Sequence, residues 1–210
     1  MSKETTVTQE TTNRMFAEID PAKIAVDWKS NPRESYSDIP ELAAEIKAVG
    51  RIIEPLLVRS NGDDTFQLVH GFRRMKAIEK LFDDDFKLKS VPAEIVNESF
   101  DRKQELVAHL MRNNGKPLTS LEQGNVFKLL EEMGLSRKEI AELTSKTQAH
   151  IGNMLLLVTG LTKPVKDAIN SNKISATRAL EIYRDETNKD SKKTEGIVLL
   201  AVEGAAKAGK

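Results

Sequence analysis

The feature that most constrains this chain is a change of apolar rhythm near residue 100. Before it, short β-branched runs alternate with helical spacing. Beyond Glu105, as far as Tyr183, only helical segments occur, separated by "NNGKP", "MGLS", "LTSK", "GLTKP" and "NSNKIS". Such segregation predicts two modules, an α+β one over about 19–100 and an all-helical one over about 105–183. Within the first, "KIAVDW" reads as a short strand and "SDIPELAAEIKAVG" as a helix with Leu42, Ile46 and Val49 in register, stopped by Gly50. "IIEPLLVRS" and "TFQLVHG" make a hairpin-like pair with Asn61-Gly62 at the bend, "FRRMKAIEKLF" is helical, and "VPAEIV" is a further strand. The flanks carry less. Residues 1–18, rich in threonine and glutamate, read as a flexible arm, because little there can offset the entropy of ordering. Residues 184–210 read as a charged tail with one short helix in "GIVLLAVEGAAKAGK".

Composition excludes several chemistries. The chain has no cysteine, which removes disulfides, thiolate catalysis and cysteine metal sites and suits a reducing cytoplasm. His70, His109 and His150 stand far apart without ligand spacing, so no histidine metal site is expected. The start lacks the apolar core of a signal peptide, and no membrane span is expected. Lysine plus arginine equals aspartate plus glutamate, at 32 each, so any basic surface must be local.

One such surface falls in "LSRKEIAELTSKTQAHIGNMLLLV", residues 135–158. Ser136 followed by Glu139 is a capping box, and Ile140 with Ala141 offers an apolar and a small position at which a second helix can cross closely. The first helix ends near Thr144, and Thr147 caps a second whose Ile151, Met154 and Leu155 face inward. Gln148, Ala149, His150 and Asn153 are then left on or near the outer side, where a recognition helix meets the major groove. Glutamine and asparagine offer a donor beside an acceptor, as adenine's edge requires, while Lys146 and Thr147 suit phosphate and Arg137 adds a cation. Residues 135–183 hold seven basic against four acidic side chains. Two packed helices without DNA affinity would share some of these features, but the cap, short turn and polar outer face together favour a helix-turn-helix. Ser145 occupies the turn position that often carries glycine.

The other feature is "LVHGFRRMKAIEKL", residues 68–81. Gly71 lies where a strand should pass into a helix, so the amides of Phe72 to Arg74 would point outward beside two guanidinium groups, an arrangement anions favour. From these residues alone, an anion cradle and a solvated turn both remain open.

Taken in order, "EPLLVR", "GFRRMKA", the helix-turn-helix and "NKISATRALEI" resemble the boxes of the ParB family of partition proteins, over about residues 19–182. The resemblance implies an α+β ParB/sulfiredoxin-like nucleotide-binding module followed by an all-α helix-turn-helix module. It implies that CTP, with Mg2+ as companion, lies on Gly71, Phe72, Arg73 and Arg74, with Glu54 and Pro55 lining the base side. Phe72 stands where the family usually has glutamate, and Glu54 where it has glutamine. In the next nucleotide box Met111 replaces the acid; with a one-residue gap Arg112, Asn113 and Lys116 fall there. Neither register supplies a carboxylate for magnesium, so binding is expected more than hydrolysis, and no residue is assigned a catalytic role.

The resemblance further implies double-stranded DNA with an inverted-repeat site, a homodimer, and a ParA-type ATPase as partner, in a cytoplasmic protein associated with nucleoid or plasmid. The 27 residues after Tyr183 are shorter than the dimerisation domain with which family members usually end, and Lys3 and Arg14 form no ATPase-stimulating motif. The leading expectation is therefore a CTP-responsive, sequence-specific DNA-binding protein acting in partition. A ParB-like transcriptional regulator is the alternative. A ParB-like nuclease ranks lower, since no carboxylate cluster accompanies Gly71.

Overall fold

The computed structural model describes residues 15–33, 36, 38–112, 117–185 and 190–208. These divide into two compact units, one ending at Glu105 and the other beginning at Leu106, with Pro32 and Arg33 assigned to the second.

The first unit is a five-stranded mixed sheet with helices. Its strands are β1 (Met15–Ile19), β2 (Ile24–Ala25), β3 (Leu56–Ser60), β4 (Phe66–His70) and β5 (Val91–Val96), in the spatial order β1-β5-β3-β4-β2. β1 runs antiparallel to β5, β5 parallel to β3, β3 antiparallel to β4, and β4 parallel to β2. The β3–β4 hairpin turns through Asn61 to Thr65, where Gly62 and Asp64 take positive φ. α1 (Ile39–Val49) and α2 (Phe72–Asp83) pack together, and Leu56, Val58, Leu68, Ala77, Ile78 and Val91 form the dry centre.

Two local expectations shift here. Gly50 ends α1 in the left-handed conformation as expected, but the inward face is Ile39, Ala43 and Ile46, and Val49 is exposed. Strand β1 begins at Met15, inside the stretch read as an arm. Four of its five side chains are exposed and only Ile19 is buried, so ladder hydrogen bonds to β5 hold an edge strand that no apolar pattern marks.

The second unit is helical: most of α3 (Arg102–Met111), then α4 (Ser120–Glu132), α5 (Arg137–Thr144), α6 (Gln148–Thr159), α7 (Lys163–Asn170), α8 (Ala176–Asp185) and α9 (Ser191–Ala208). Its core gathers Leu106, Val126, Phe127, Leu130, Ile140, Ile151, Leu157, Val165 and Ala179. The tail is more than the short helix expected of it. α9 runs for 18 residues, with Thr194 and Val198 fully buried, and packs on α7 and α8. Thr194, Val198 and Val202 recur every fourth residue, and a threonine in that stripe hides it from a search for apolar residues alone.

Candidate nucleotide cradle and nucleic-acid interface

β4 delivers the chain to Gly71, whose φ of 109° opens α2. Glycine is required there twice over. The backbone is left-handed, and a Cβ would lie 2.5 Å from Leu56 Cδ2 on the neighbouring strand. The first turn of α2 follows, with amides that have no carbonyl within the helix to bond. Arg74 folds back from this turn and donates through Nη1 to the carbonyls of Glu54 (2.5 Å) and Pro55 (2.7 Å). Six expected site residues, Glu54, Pro55 and Gly71 to Arg74, thus meet in one place.

Their side chains are arranged differently from the expectation. Arg73 pairs with the carboxylate of Asp38 at the start of α1, so neither arginine simply projects outward. Arg73 Nε is nevertheless buried without a hydrogen-bond partner. Phe72 is only 4% exposed and lies edge-on to Trp28, with ring centroids 6.0 Å apart. An aromatic ring at this position fills the core, so only its backbone faces the turn. Arg112 follows the end of α3 in the second unit, its amide bonded to Ala108 O at 3.0 Å. Asn113 lies outside the described residues, as does Lys116.

In the second unit, α5 opens with the capping box read from the sequence, Ser136 and Glu139 each bonding the other's backbone amide. It ends at Ser145, whose φ of 53° is the left-handed value the turn demands. Thr147 caps α6, its hydroxyl accepting from the His150 amide at 3.1 Å. Ile151, Met154, Leu155 and Leu157 are buried, while Thr147, Gln148 and Ala149 are exposed and Lys146 half-buried beside them. Arg137 is exposed but donates through Nε to Glu131 on α4 at 2.9 Å.

His150 departs from its expected outward position. Its Nε2 meets Gln123 Oε1 at 3.1 Å and its ring lies edge-on to Phe127, both on α4. Gln123 uses its own amide N–H on Leu118 O, at 2.9 Å, so its oxygen accepts and His150 carries its proton on Nε2. Burial, and then the nearby charge of Lys146, lower the His150 pKa below its ordinary 6.5. α6 also crosses α4 closely, at a glycine the sequence reading did not single out. A Cβ on Gly124 of α4 would stand 2.4 Å from Met154 O, so α6 rests directly on that glycine. "LEQG" signals this only faintly, because one helical glycine has several uses. Arg184, from α8, donates to Asn153 Oδ1 at 2.5 Å, a partner 31 residues away that spacing could not reveal.

Residues 3–131 match the ParB N-terminal domain, and residues 116–199 match the ParB HTH domain. The chain belongs to the ParB family. Among relatives, the nucleoid occlusion protein of Bacillus velezensis is 32% identical over 163 residues, covering 76% of this chain and 55% of its own length. The probable chromosome 1-partitioning protein ParB of Deinococcus radiodurans is 30% identical over 150 residues, 70% of this chain and 49% of the relative. The chain therefore spans about half the length of these curated ParB-type relatives. The C-terminally truncated chromosome-partitioning protein ParB of Caulobacter crescentus, solved with the centromeric parS site, matches with a TM-score of 0.52 at 22% identity over 87% of this chain and 98% of that one. A Pnob8-like ParB-N domain gives 0.58 at 13% identity, covering 83% and 82%. At these identities the solved structures establish the fold: an α+β ParB-like module followed by a helix-turn-helix region. Among the described residues, no helix is long and apolar enough to cross a membrane.

Proposed function

We propose that this ParB-family protein reads a specific duplex DNA site with α6 and binds CTP, accompanied by magnesium, at the Gly71 turn. The single observation that carries the reading is the start of α6. Its inner face is locked into the core while Gln148, beside Lys146 and Thr147, stands open to solvent at the end a recognition helix offers to the groove. The nucleotide half draws support from the left-handed Gly71, from the clasp of Arg74 on Glu54 and Pro55, and from the buried Arg73 Nε that an anion would satisfy. A single α6 spans few bases, so the protein acts as a homodimer on an inverted repeat. It works in chromosome partition or nucleoid occlusion, as its relatives' names suggest, and does so in the cytoplasm with a ParA-type ATPase as partner.

Selecting bound fragments from a genomic library, with and without CTP, tests both halves. An enriched inverted repeat is expected, and a random fragment set would overturn the DNA reading. Gln148→Ala should weaken binding to the enriched site by about 1–3 kcal/mol while leaving random DNA nearly unchanged. Calorimetry with CTP should show saturable heat, and its absence would overturn the nucleotide half.

A further inference from the structure

Asn153 and Arg184 meet beside the outer face of α6. Arg184 is exposed near the end of α8, a helix in contact with α6, and its Nη2 donates to Asn153 Oδ1. A lone asparagine presents one acceptor and one donor group side by side, and can rotate its amide to match adenine's N6 and N7. Here the guanidinium settles the amide's direction. The oxygen gives one of its two lone pairs to Arg184, which turns the Nδ2 group, with its two hydrogens, away from the guanidinium.

We propose that Arg184 is a positioning residue for base readout: it orients Asn153 so that the Nδ2 hydrogens face the base edge, matched to the N7 and O6 acceptors of guanine. This deepens the reading of α6 as the recognition helix and rests on it. An array of donors accepts guanine and refuses adenine, whose N6 amino group would meet an N–H instead of an oxygen. Arg184 thereby influences a base preference from outside α6.

Fragment selection and competition binding on the full chain distinguish this role from simple charge. The wild-type protein should favour guanine over adenine at one base pair of each half-site. Arg184→Ala should lower that guanine-to-adenine ratio roughly tenfold, the scale of one good bidentate contact, without moving the melting temperature. Asn153→Ala and the Asn153→Ala/Arg184→Ala double variant should share one ratio, because Arg184 acts through Asn153. Arg184→Lys should restore affinity for random DNA without restoring the preference, since lysine lacks the planar fork. An equal loss for Arg184→Ala on every sequence would make Arg184 a phosphate contact and overturn the proposal. An unchanged guanine preference in Arg184→Ala would overturn it while leaving the recognition helix standing. A wild-type protein with no sequence preference would bring down both.

Discussion

At Gly71 the arginines of a helix start are tied to other parts of their own unit, whereas at Thr147 the cap and the two residues after it stand exposed. Both places use the first turn of a helix, where amide groups point away from the body and favour negative charge. The difference lies in what holds the turn. Around Gly71 the shape depends on side chains clasping backbone from above, with Arg74 across Glu54 and Pro55. Beneath α6 the shape depends on packing from below, with Gly124 against the backbone of Met154. A site of the first kind loses its form when a polar side chain is removed; a site of the second kind loses it when a methyl group is added.

Gly124→Ala is the strongest way to test that contrast. The added Cβ would stand 2.4 Å from Met154 O and 2.8 Å from Val158 Cγ1, so α4 and α6 must separate. Overpacking of this kind should cost about 3 kcal/mol, more than the roughly 1 kcal/mol by which alanine favours a helix over glycine. Urea unfolding should show the loss in the helical unit, together with weaker DNA binding. A variant as stable as the parent would mean that the crossing is not tight.

Arg74→Ala comes next, with an expected loss of about 2 kcal/mol, because two backbone carbonyls forfeit a charged donor. Unchanged unfolding would mean that Arg74 is displayed rather than structural, and the contrast between the two sites would dissolve. Arg74→Lys should recover only part of the loss, since an ammonium lacks the fork that spans both carbonyls.

The pattern of legibility follows the same division. Elements whose apolar residues repeat at one period were readable: α2, β3 to β5, and the α5–α6 pair with its capping box. So was the special backbone at Gly50 and Gly71, since glycine after a helix or between strand and helix has few other uses. What escaped depends on partners distant in sequence. Strand β1 exists because β5 pairs with it, α9 because α7 and α8 offer it a surface, and Phe72 belongs to the core because Trp28 stands beside it. At the sites, residue types were legible and their partners were not. Nothing local to "GFRR" places Arg73 on Asp38, and nothing in "QAHIGN" places His150 on Gln123.

Ser145→Gly gives a smaller effect of the opposite sign. Ser145 holds a φ of 53°, which glycine adopts without a clash between Cβ and the following carbonyl. Relief of that strain, less the added freedom of the unfolded chain, should stabilise the helical unit by about 0.5 to 1 kcal/mol. The expected readout is a modest rise in melting temperature with DNA specificity unchanged. A fall would show that the serine contributes more through its side chain than its backbone costs.

The smallest effect concerns His150, the member of the α6 start that turns inward. Burial, and then Lys146, hold its pKa below 6.5, so folding favours the neutral ring that donates to Gln123. The unfolded chain binds the proton more readily, and stability contributed by this group is therefore fully present above about pH 6.5 and lost as the pH falls through the window below it. Measured against His150→Gln, which cannot titrate, the wild-type unfolding free energy should decline more steeply between about pH 7 and pH 5. DNA acts in the other direction, because phosphates beside the helix start favour an imidazolium. Proton uptake on binding the duplex, seen as a buffer-dependent binding heat that His150→Gln lacks, would place the ring within reach of the nucleic acid. Equal heats in buffers of different ionisation enthalpy would assign His150 to the α4–α6 packing alone, and would align the α6 start more closely with the clasped turn at Gly71.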